Sequence, residues 1–182
     1  MYKRILVVVD MQNDFITGSL GNAETQAVAS NVLKKLEAFG ETYDKIYFTQ
    51  DTHFDDYGKT LEGERLPVKH CTYRTEGWAL CPEINTAMSR VPKKVTTVCV
   101  EKDTFGAVAI ANMLREVIQD KTYIIELVGV CTDICVVSNA LLLRTCFPNN
   151  VIRVDSKCCA GTSVEAHNAA LKVMQSCQID II

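Results

Sequence analysis

Short apolar runs alternate with segments of helical periodicity along the whole chain, and this alternation limits the possible folds more than any other feature. The first run, 4–9, is continuous and rich in β-branched residues, which is typical of a strand buried on both faces. Strands separated by helices of about 10–15 residues indicate βαβ units and a parallel sheet covered by helices on both faces. The predicted strands are 4–9, 45–49, 96–100, 123–128, 151–154 and 179–182, and the predicted helices are 23–39, 107–118, 133–146 and 163–177.

The chain is predicted to be one α/β domain over residues 1–182. Its 182 residues fall within the usual size of one domain, and no internal repeat, linker or low-complexity segment interrupts the pattern. Gly40 follows the first helix at the position of a C-cap glycine. Residues 52–80 have no clean periodicity, so we expect a long loop there, and long loops inside compact domains usually carry function.

Charge and cysteine content narrow the class of protein. A net charge of −3 gives no basic excess that would attract nucleic acid or an anionic membrane surface. No run approaches the roughly 18 apolar residues of a membrane span, and the N-terminal run lacks the features of a signal peptide. The nine cysteines cannot all pair, which favours a reducing, cytoplasmic location with mostly buried thiols.

Three residues that suit nucleophilic catalysis lie at or just after the ends of predicted strands. Parallel sheets bind their ligands at the carboxyl ends of the strands. Cys135 lies in the first turn of a predicted helix, where free N–H groups and the helix dipole stabilise a thiolate. Asp10 directly follows the first strand and Lys102 follows the third, so the carboxylate can take a thiol proton while the ammonium favours the thiolate. The alternatives are a small buried cysteine and a structural Asp10–Lys102 ion pair.

A second group of residues suits a metal ion. Asp51 and His53 point to the same face of an extended segment, and a carboxylate with an imidazole suits zinc, iron or manganese. His70 lies at the far side of the long loop, and Glu62 between the two histidines offers a further oxygen. The sequence contains no CxxC zinc motif, and no GxGxxG or Walker motif supports a nucleotide site.

The motifs around these residues resemble a known family. VVVDMQNDF (7–15), EKDTF (101–105) and GVCTDICV (129–136) are similar to the cysteine hydrolases of the isochorismatase-like superfamily, in order and in spacing. The segment 51–78, with its DTH, EG, LPV, HC and TEGW elements, further resembles the nicotinamidase/pyrazinamidase branch. The resemblance covers essentially the whole chain. It implies a three-layer Rossmann-like fold with a six-stranded parallel sheet and helices on both faces.

The resemblance also implies a reaction. Asp10, Lys102 and Cys135 are the implied catalytic triad, and a cis peptide between Val130 and Cys131 is implied to turn the Cys131 amide towards the site. There it would join the Cys135 amide as an oxyanion hole. The implied activity is hydrolysis of nicotinamide to nicotinic acid and ammonia through a cysteine thioester, in NAD salvage.

A divalent metal, zinc above iron or manganese, is implied to bind the pyridine nitrogen of a small pyridine carboxamide substrate. The aromatic residues expected to enclose the ring are Phe15, Trp78 and Phe105, with core packing as the alternative for each. The implied metal ligands are Asp51, His53 and His70, with Glu62 as a fourth.

Other readings stay open. A related amidase or ureido hydrolase acting on an N-carbamoyl substrate would have no evident need for the metal residues. An isochorismatase proper does not use the cysteine nucleophile, and a binding or redox protein would not need the whole triad. Arg74 stands where the branch commonly has a small residue, and Cys131 where alanine is commoner. The family often assembles, so a homo-oligomer is expected.

Overall fold

The computed structural model describes residues 2–37, 42–120 and 122–182. Within them, six strands form one sheet in the order β3-β2-β1-β4-β5-β6. Every neighbouring pair is parallel, as the alternating pattern predicts. The strands are β1 (Lys3–Val9), β2 (Lys45–Asp51), β3 (Thr96–Lys102), β4 (Tyr123–Val130), β5 (Val151–Ala160) and β6 (Asp180–Ile181).

The four predicted helices are present with small shifts at their ends. The helix predicted over 23–39 is observed as Ala23–Glu37, and Gly40 with its predicted capping role lies outside the described residues. Three short helices were not predicted, and the third of these begins with Pro82 in its first turn, a recognised start signal. The helices are α1 (Asn13–Ile16), α2 (Ala23–Glu37), α3 (Leu61–Arg65), α4 (Pro82–Ser89), α5 (Val108–Val117), α6 (Val137–Cys146) and α7 (Val164–Ser176).

The helices cover both faces of the sheet, because alternate residues of each strand point to opposite sides. On one face, Ile5 and Val7 of β1 belong to a buried cluster with residues of α5, α6 and α7. On the other face, Leu6 and Val8 belong to a second cluster with residues of α2 and α4. The predicted three-layer α/β fold is therefore confirmed.

β5 extends well beyond its predicted end. Its polar stretch from Asp155 to Lys157 hid the continuation to Ala160, which pairs with Val130 of β4. The added length brings the residues after β5 to the same edge of the sheet as the ends of β1 and β4. No helix within the described ranges is long and apolar enough to cross a membrane.

Gly129 allows β1 and β4 to run close together at this edge. Its φ of +118° is a conformation that glycine adopts at little cost, and an added Cβ would lie 2.1 Å from the carbonyl oxygen of Val9. The glycine therefore sets the approach of the two strands just before Asp10 and the Cys131 turn.

Candidate active site

The structure brings the three residues of the predicted triad together at the carboxyl edge of the sheet. Asp10 follows β1, Lys102 ends β3, and Cys135 lies in a π-helical turn, Thr132–Val136, that joins β4 to α6. Lys102 Nζ lies 2.8 Å from Asp10 Oδ2 and 3.6 Å from Cys135 Sγ. Asp10 is 0% and Cys135 5% exposed. The contact between cation, carboxylate and thiol is what proton removal from the thiol requires.

Burial and charge shift the pKa values of all three groups. Burial raises the pKa of Asp10, and the nearby Lys102 ammonium offsets this only in part. Burial and the charge of Asp10 raise the pKa of the Cys135 thiol well above its usual range, while Lys102 acts in the opposite direction. Burial lowers the pKa of Lys102, but Asp10 and the other anionic neighbours outweigh it and keep the ammonium charged. Burial therefore favours the neutral form of the Cys135 thiol, while Lys102 stays charged in contact with Asp10 and Cys135.

Asp10 is held in place by its backbone and by Thr49. Its φ of 49° lies in the left-handed region, which is uncommon for residues other than glycine and concentrates at functional sites. The Thr49 hydroxyl on β2 donates to Asp10 Oδ1 at 2.5 Å and accepts from the Asp10 amide at 3.1 Å. Sequence reasoning missed Thr49, because an interior strand threonine gives no signal of what it contacts.

The four predicted metal ligands also converge. One donor atom from each of Asp51, His53, Glu62 and His70 lies within 4.8 Å of the others. Asp51 ends β2 and His53 follows it, while Glu62 on α3 and His70 come from the long loop. Asp51 Oδ2 is 2.9 Å from His53 Nε2 and 3.4 Å from His70 Nε2, and Glu62 Oε1 is 3.6 and 3.7 Å from the same two nitrogens.

Observations on these side chains fit a divalent cation. His53 Nε2 is buried without a hydrogen-bond partner, an arrangement that a metal ion would satisfy. His70 Nδ1 donates to the Val68 carbonyl at 2.8 Å, which leaves Nε2 free to bind a metal. Donors about 2.1 Å from one ion in a tetrahedron lie about 3.4 Å apart, close to the observed spacings. Two nitrogens and two carboxylates suit zinc, iron or manganese.

We refer to Asp51, His53, Glu62 and His70 as the metal-ligand cluster. Within it, Asp51 makes the connection to the triad. Its Oδ2 faces the two histidines, and its Oδ1 accepts a hydrogen bond from Lys102 Nζ at 3.2 Å. Burial raises the pKa of Asp51, but the close imidazoles of His53 and His70 and the charge of Lys102 bring it well below its usual range. The carboxylate is therefore ionised and has one oxygen for each group.

Gln12 holds Asp51 from the opposite side. Its side-chain Nε2 donates to the carbonyls of Asp51 and Trp78, both at 2.8 Å, and its Oε1 accepts from the Asp51 amide at 2.7 Å. Gln12 is fully buried. Sequence reasoning quoted it inside the first motif but gave it no role, because a glutamine side chain does not reveal its partners.

The three predicted ring-binding aromatics occupy different environments. Phe15 is buried and its ring packs edge-on against His70, with 5.6 Å between centroids. Trp78 is half-buried, donates from its indole nitrogen to Thr52 Oγ1 at 2.9 Å, and packs against Tyr73. Phe105 lies in the loop after β3 with 47% of its surface exposed. Phe15 is therefore the one of the three that contacts the predicted metal ligands.

Tyr57 adds an aromatic ring that sequence reasoning did not select. Its centroid lies 4.4 Å from that of His53 and 5.2 Å from that of His70, so it packs against both imidazoles. Tyr57 belongs to a 3-10 turn in the segment predicted as irregular loop. The site is thus enclosed by more aromatic surface than the motifs suggested.

The turn that carries Cys135 differs in one respect from expectation. The helix predicted over 133–146 begins as a π-helical turn, and regular α-helix starts only at Val137. The peptide bond between Val130 and Cys131 is cis, as the resemblance implies. All nine cysteines are free, and Cys135 is buried beside a lysine.

Comparison with known proteins decides the family. The isochorismatase domain family matches residues 4–182. The chain belongs to the isochorismatase family. Among curated relatives in this family, a nicotinamidase from Schizosaccharomyces pombe is 25% identical over 205 residues, covering 97% of this chain and 91% of that protein.

Solved structures agree with this membership of the isochorismatase family. A nicotinamidase from Bacillus subtilis superposes with a TM-score of 0.81 at 26% identity, covering 98% of both chains. A pyrazinamidase of Pyrococcus horikoshii in complex with zinc has a TM-score of 0.78 at 23% identity, covering 99% of this chain and 98% of that one. An N-carbamoylsarcosine amidase from Thermoplasma acidophilum has a TM-score of 0.73 at 22% identity, covering 98% and 95%. The last two show a shared fold.

Arg74, where the resemblance leads us to expect a small residue, has a backbone conformation that suits glycine. Arg74 has a φ of 63°, in the left-handed region that glycine adopts most readily. Its guanidinium lies 4.9 Å from the centroid of the Tyr73 ring, and the side chain is exposed. The departure at Arg74 therefore concerns an exposed loop position, and the residues of the triad are all present.

Proposed function

We propose that this chain hydrolyses nicotinamide to nicotinic acid and ammonia through a thioester on Cys135, as a step of NAD salvage. The observation that carries the proposal is the direct connection between the triad and the metal-ligand cluster. Lys102 contacts Asp10, Cys135 and Asp51, and Asp51 in turn contacts both histidines. A thiol nucleophile beside a nitrogen-binding metal site suits an aromatic carboxamide with a ring nitrogen.

The first half of the reaction is acyl transfer to sulfur. Asp10 takes the Cys135 proton, and the sulfur attacks the carboxamide carbon. The backbone amides of Cys131 and Cys135 donate to the developing oxyanion, and the Lys102 ammonium stabilises the negative charge nearby. Asp10 then gives its proton to the departing nitrogen, which leaves as ammonia. The raised pKa of Asp10 suits it to both directions of proton transfer.

The second half is hydrolysis of the thioester. A water that donates a proton to Asp10 attacks the acyl carbon, and the carbon–sulfur bond breaks to release the acid. Asp10 then returns the proton to the Cys135 sulfur, which restores the thiol and the carboxylate. The net change is one water consumed for one ammonia and one carboxylic acid released. Asp10 needs to reach both the thiol and the acyl carbon, and its contact with Lys102 keeps it at that position.

Asp51, His53, His70 and Glu62 are the residues that would hold a divalent metal, and we propose zinc. When bound, the metal supplies a Lewis acid that holds the pyridine nitrogen of the substrate and orients its carboxamide. Phe15 and Trp78 would contact the aromatic ring, with the exposed Phe105 at the rim of the site. The cytoplasmic location and homo-oligomeric state stay predictions from the sequence.

Ammonia release from nicotinamide by the purified, metal-loaded protein tests the activity. Cys135→Ala should reduce kcat by at least a thousandfold while circular dichroism stays unchanged, and Cys177→Ala, at an exposed cysteine, should leave kcat within twofold. Acid quenching during turnover should trap nicotinoyl-Cys135, seen by mass spectrometry. Full activity of the Cys135 variant would contradict the nucleophile assignment.

The rival activity is hydrolysis of an N-carbamoyl or ureido substrate, which has no pyridine nitrogen. A panel of nicotinamide, benzamide and an N-carbamoyl amino acid separates the two. We expect benzamide, which lacks only the ring nitrogen, to react at least a hundredfold more slowly than nicotinamide, and removal of metal by chelation to abolish that preference. Preferred turnover of the N-carbamoyl compound would replace the proposed substrate class.

A further inference from the structure

One buried side-chain amide, that of Asn139, links the turn that carries Cys135 to the loop that follows β3. Asn139 lies on α6, four residues after Cys135, and is 1% exposed. Its Nδ2 donates to the Cys135 carbonyl at 2.8 Å and to the Phe105 carbonyl at 3.1 Å, and its Oδ1 accepts from the Ala107 amide at 2.8 Å. Both hydrogens and the oxygen of this side chain are therefore engaged by two separate segments.

The two segments lie next to Lys102 and Cys135, whose separation decides how strongly the ammonium favours the thiolate. Lys102 ends β3 just before the loop, and its Nζ lies 3.6 Å from Cys135 Sγ. β3 and β4 are not neighbours, because β2 and β1 lie between them in the sheet. Strand pairing therefore does not directly join the end of β3 to the turn after β4, whereas the amide of Asn139 joins that turn to the loop that follows β3.

We propose that Asn139 is a positioning residue that sets the placement of the Lys102 ammonium relative to the Cys135 thiol. This inference rests on the proposed role of Cys135 as nucleophile. A planar amide that makes three hydrogen bonds in a buried site allows little relative movement of the groups it joins. Loss of these bonds lets the loop after Lys102 and the Cys135 turn separate, and a displacement of about 1 Å at reacting groups costs about a hundredfold in rate.

Asn150 provides a matched control within the same chain. It is also a buried asparagine, 8% exposed, and its Nδ2 donates to the carbonyls of Asp120 and Tyr123 at 2.9 and 3.2 Å. These bonds lie at the start of β4, at the opposite end of the sheet from Cys135. Asn150→Leu thus removes a comparable amide from a comparable environment without touching the site.

The test compares Asn139→Leu with Asn150→Leu in steady-state hydrolysis of nicotinamide. We expect Asn139→Leu to lower kcat at least tenfold, and Asn150→Leu to lower the melting temperature but keep kcat within twofold. Phe105→Ala removes the exposed ring while leaving the amide bonds, so the kinetics of this variant report the loss of ring contact alone, expected mainly as a higher KM. Asn139→Ser, which keeps one donor, serves if the leucine variant does not fold, and its kcat should be intermediate.

A second readout does not depend on the substrate. The rate at which iodoacetamide labels Cys135, followed by mass spectrometry, should fall at least fivefold in Asn139→Leu and stay unchanged in Asn150→Leu. A labelling rate that is unchanged or higher, or kinetics in which Asn139→Leu matches Phe105→Ala, would overturn the positioning role. If the wild-type protein releases no ammonia from nicotinamide, the proposed function fails, and the labelling rates alone decide the role of Asn139.

Discussion

Replacing Gln12 by methionine should damage the metal-ligand cluster through the backbone of Asp51. Methionine has nearly the same length but neither donates nor accepts the bonds that Gln12 makes to the Asp51 amide and carbonyl. The Trp78 carbonyl keeps a partner, because Gln50 Nε2 also donates to it at 3.1 Å. The perturbation is therefore confined to the two peptide groups of Asp51, and it introduces no charge.

The magnitude follows from those two groups. Each buried polar group left without a partner costs about 1–3 kcal/mol, so Gln12→Met should lower the free energy of unfolding by about 2–6 kcal/mol. A loss of about 3 kcal/mol corresponds to a fall in melting temperature of about 6–12 °C for a chain of this length. Loss of an outer partner of a metal ligand typically weakens metal binding about 10–100-fold, and we expect that range here.

Urea unfolding measures the first effect, and calorimetric titration of metal-free protein with zinc measures the second. Asn150→Leu is again the control, because it removes two buried donor bonds far from Asp51. It should lose comparable stability and keep zinc affinity within twofold. The reasoning is refuted if Gln12→Met loses stability like the control while its zinc affinity is unchanged.

Two further predictions concern stability. Lys35→Met leaves the buried Glu126 carboxylate without its ammonium partner and should lower the free energy of unfolding by about 3 kcal/mol in urea, whereas the exposed Lys34→Met should change it by under about 0.5 kcal/mol. Burial lowers the pKa of Lys35, but its carboxylate partners raise it overall. The difference in free energy of unfolding between the wild type and Lys35→Met should therefore be constant from pH 7 to about 9 and shrink above about 10.4, where the unfolded lysine loses its charge. A difference that grows above that pH would contradict this reasoning. Gly129→Ala should lower the free energy of unfolding by more than about 3 kcal/mol, because the added Cβ meets the Val9 carbonyl at 2.1 Å. Gly58→Ala, with open space around the added Cβ, should lower it by under about 1 kcal/mol. Equal losses in the two variants would refute the steric argument.

Much of the candidate site could be predicted from the sequence because parallel strands place their ends at one edge. Asp10, Lys102 and Cys135 each adjoin a strand end, so locating three strands was enough to expect them together. The same reasoning predicted Asp51 and His53. The parallel sheet followed from the regular alternation of apolar runs and helices, whereas its strand order was not predicted.

What the sequence could not predict depends on contacts between distant segments. Thr49, Gln12 and Asn139 act through hydrogen bonds to residues 32 to 66 positions away, and the chemistry of a hydroxyl or amide does not reveal those partners. The extension of β5 was missed for a related reason. Its polar residues lie at an irregularity in the pairing with β4, which resumes at Cys159, and local composition does not record that distant pairing.

The two oxygens of Asp51 have a consequence for mutational scanning of this protein. One oxygen faces the histidines and the other accepts from Lys102, so we expect substitutions at position 51 to alter metal affinity and thiol chemistry at once. A screen that scores only product formation would group Asp51 with both sets of residues and could not assign it to either. Scoring metal content and Cys135 labelling side by side would instead identify Asp51 as the one carboxylate whose loss registers in both measurements.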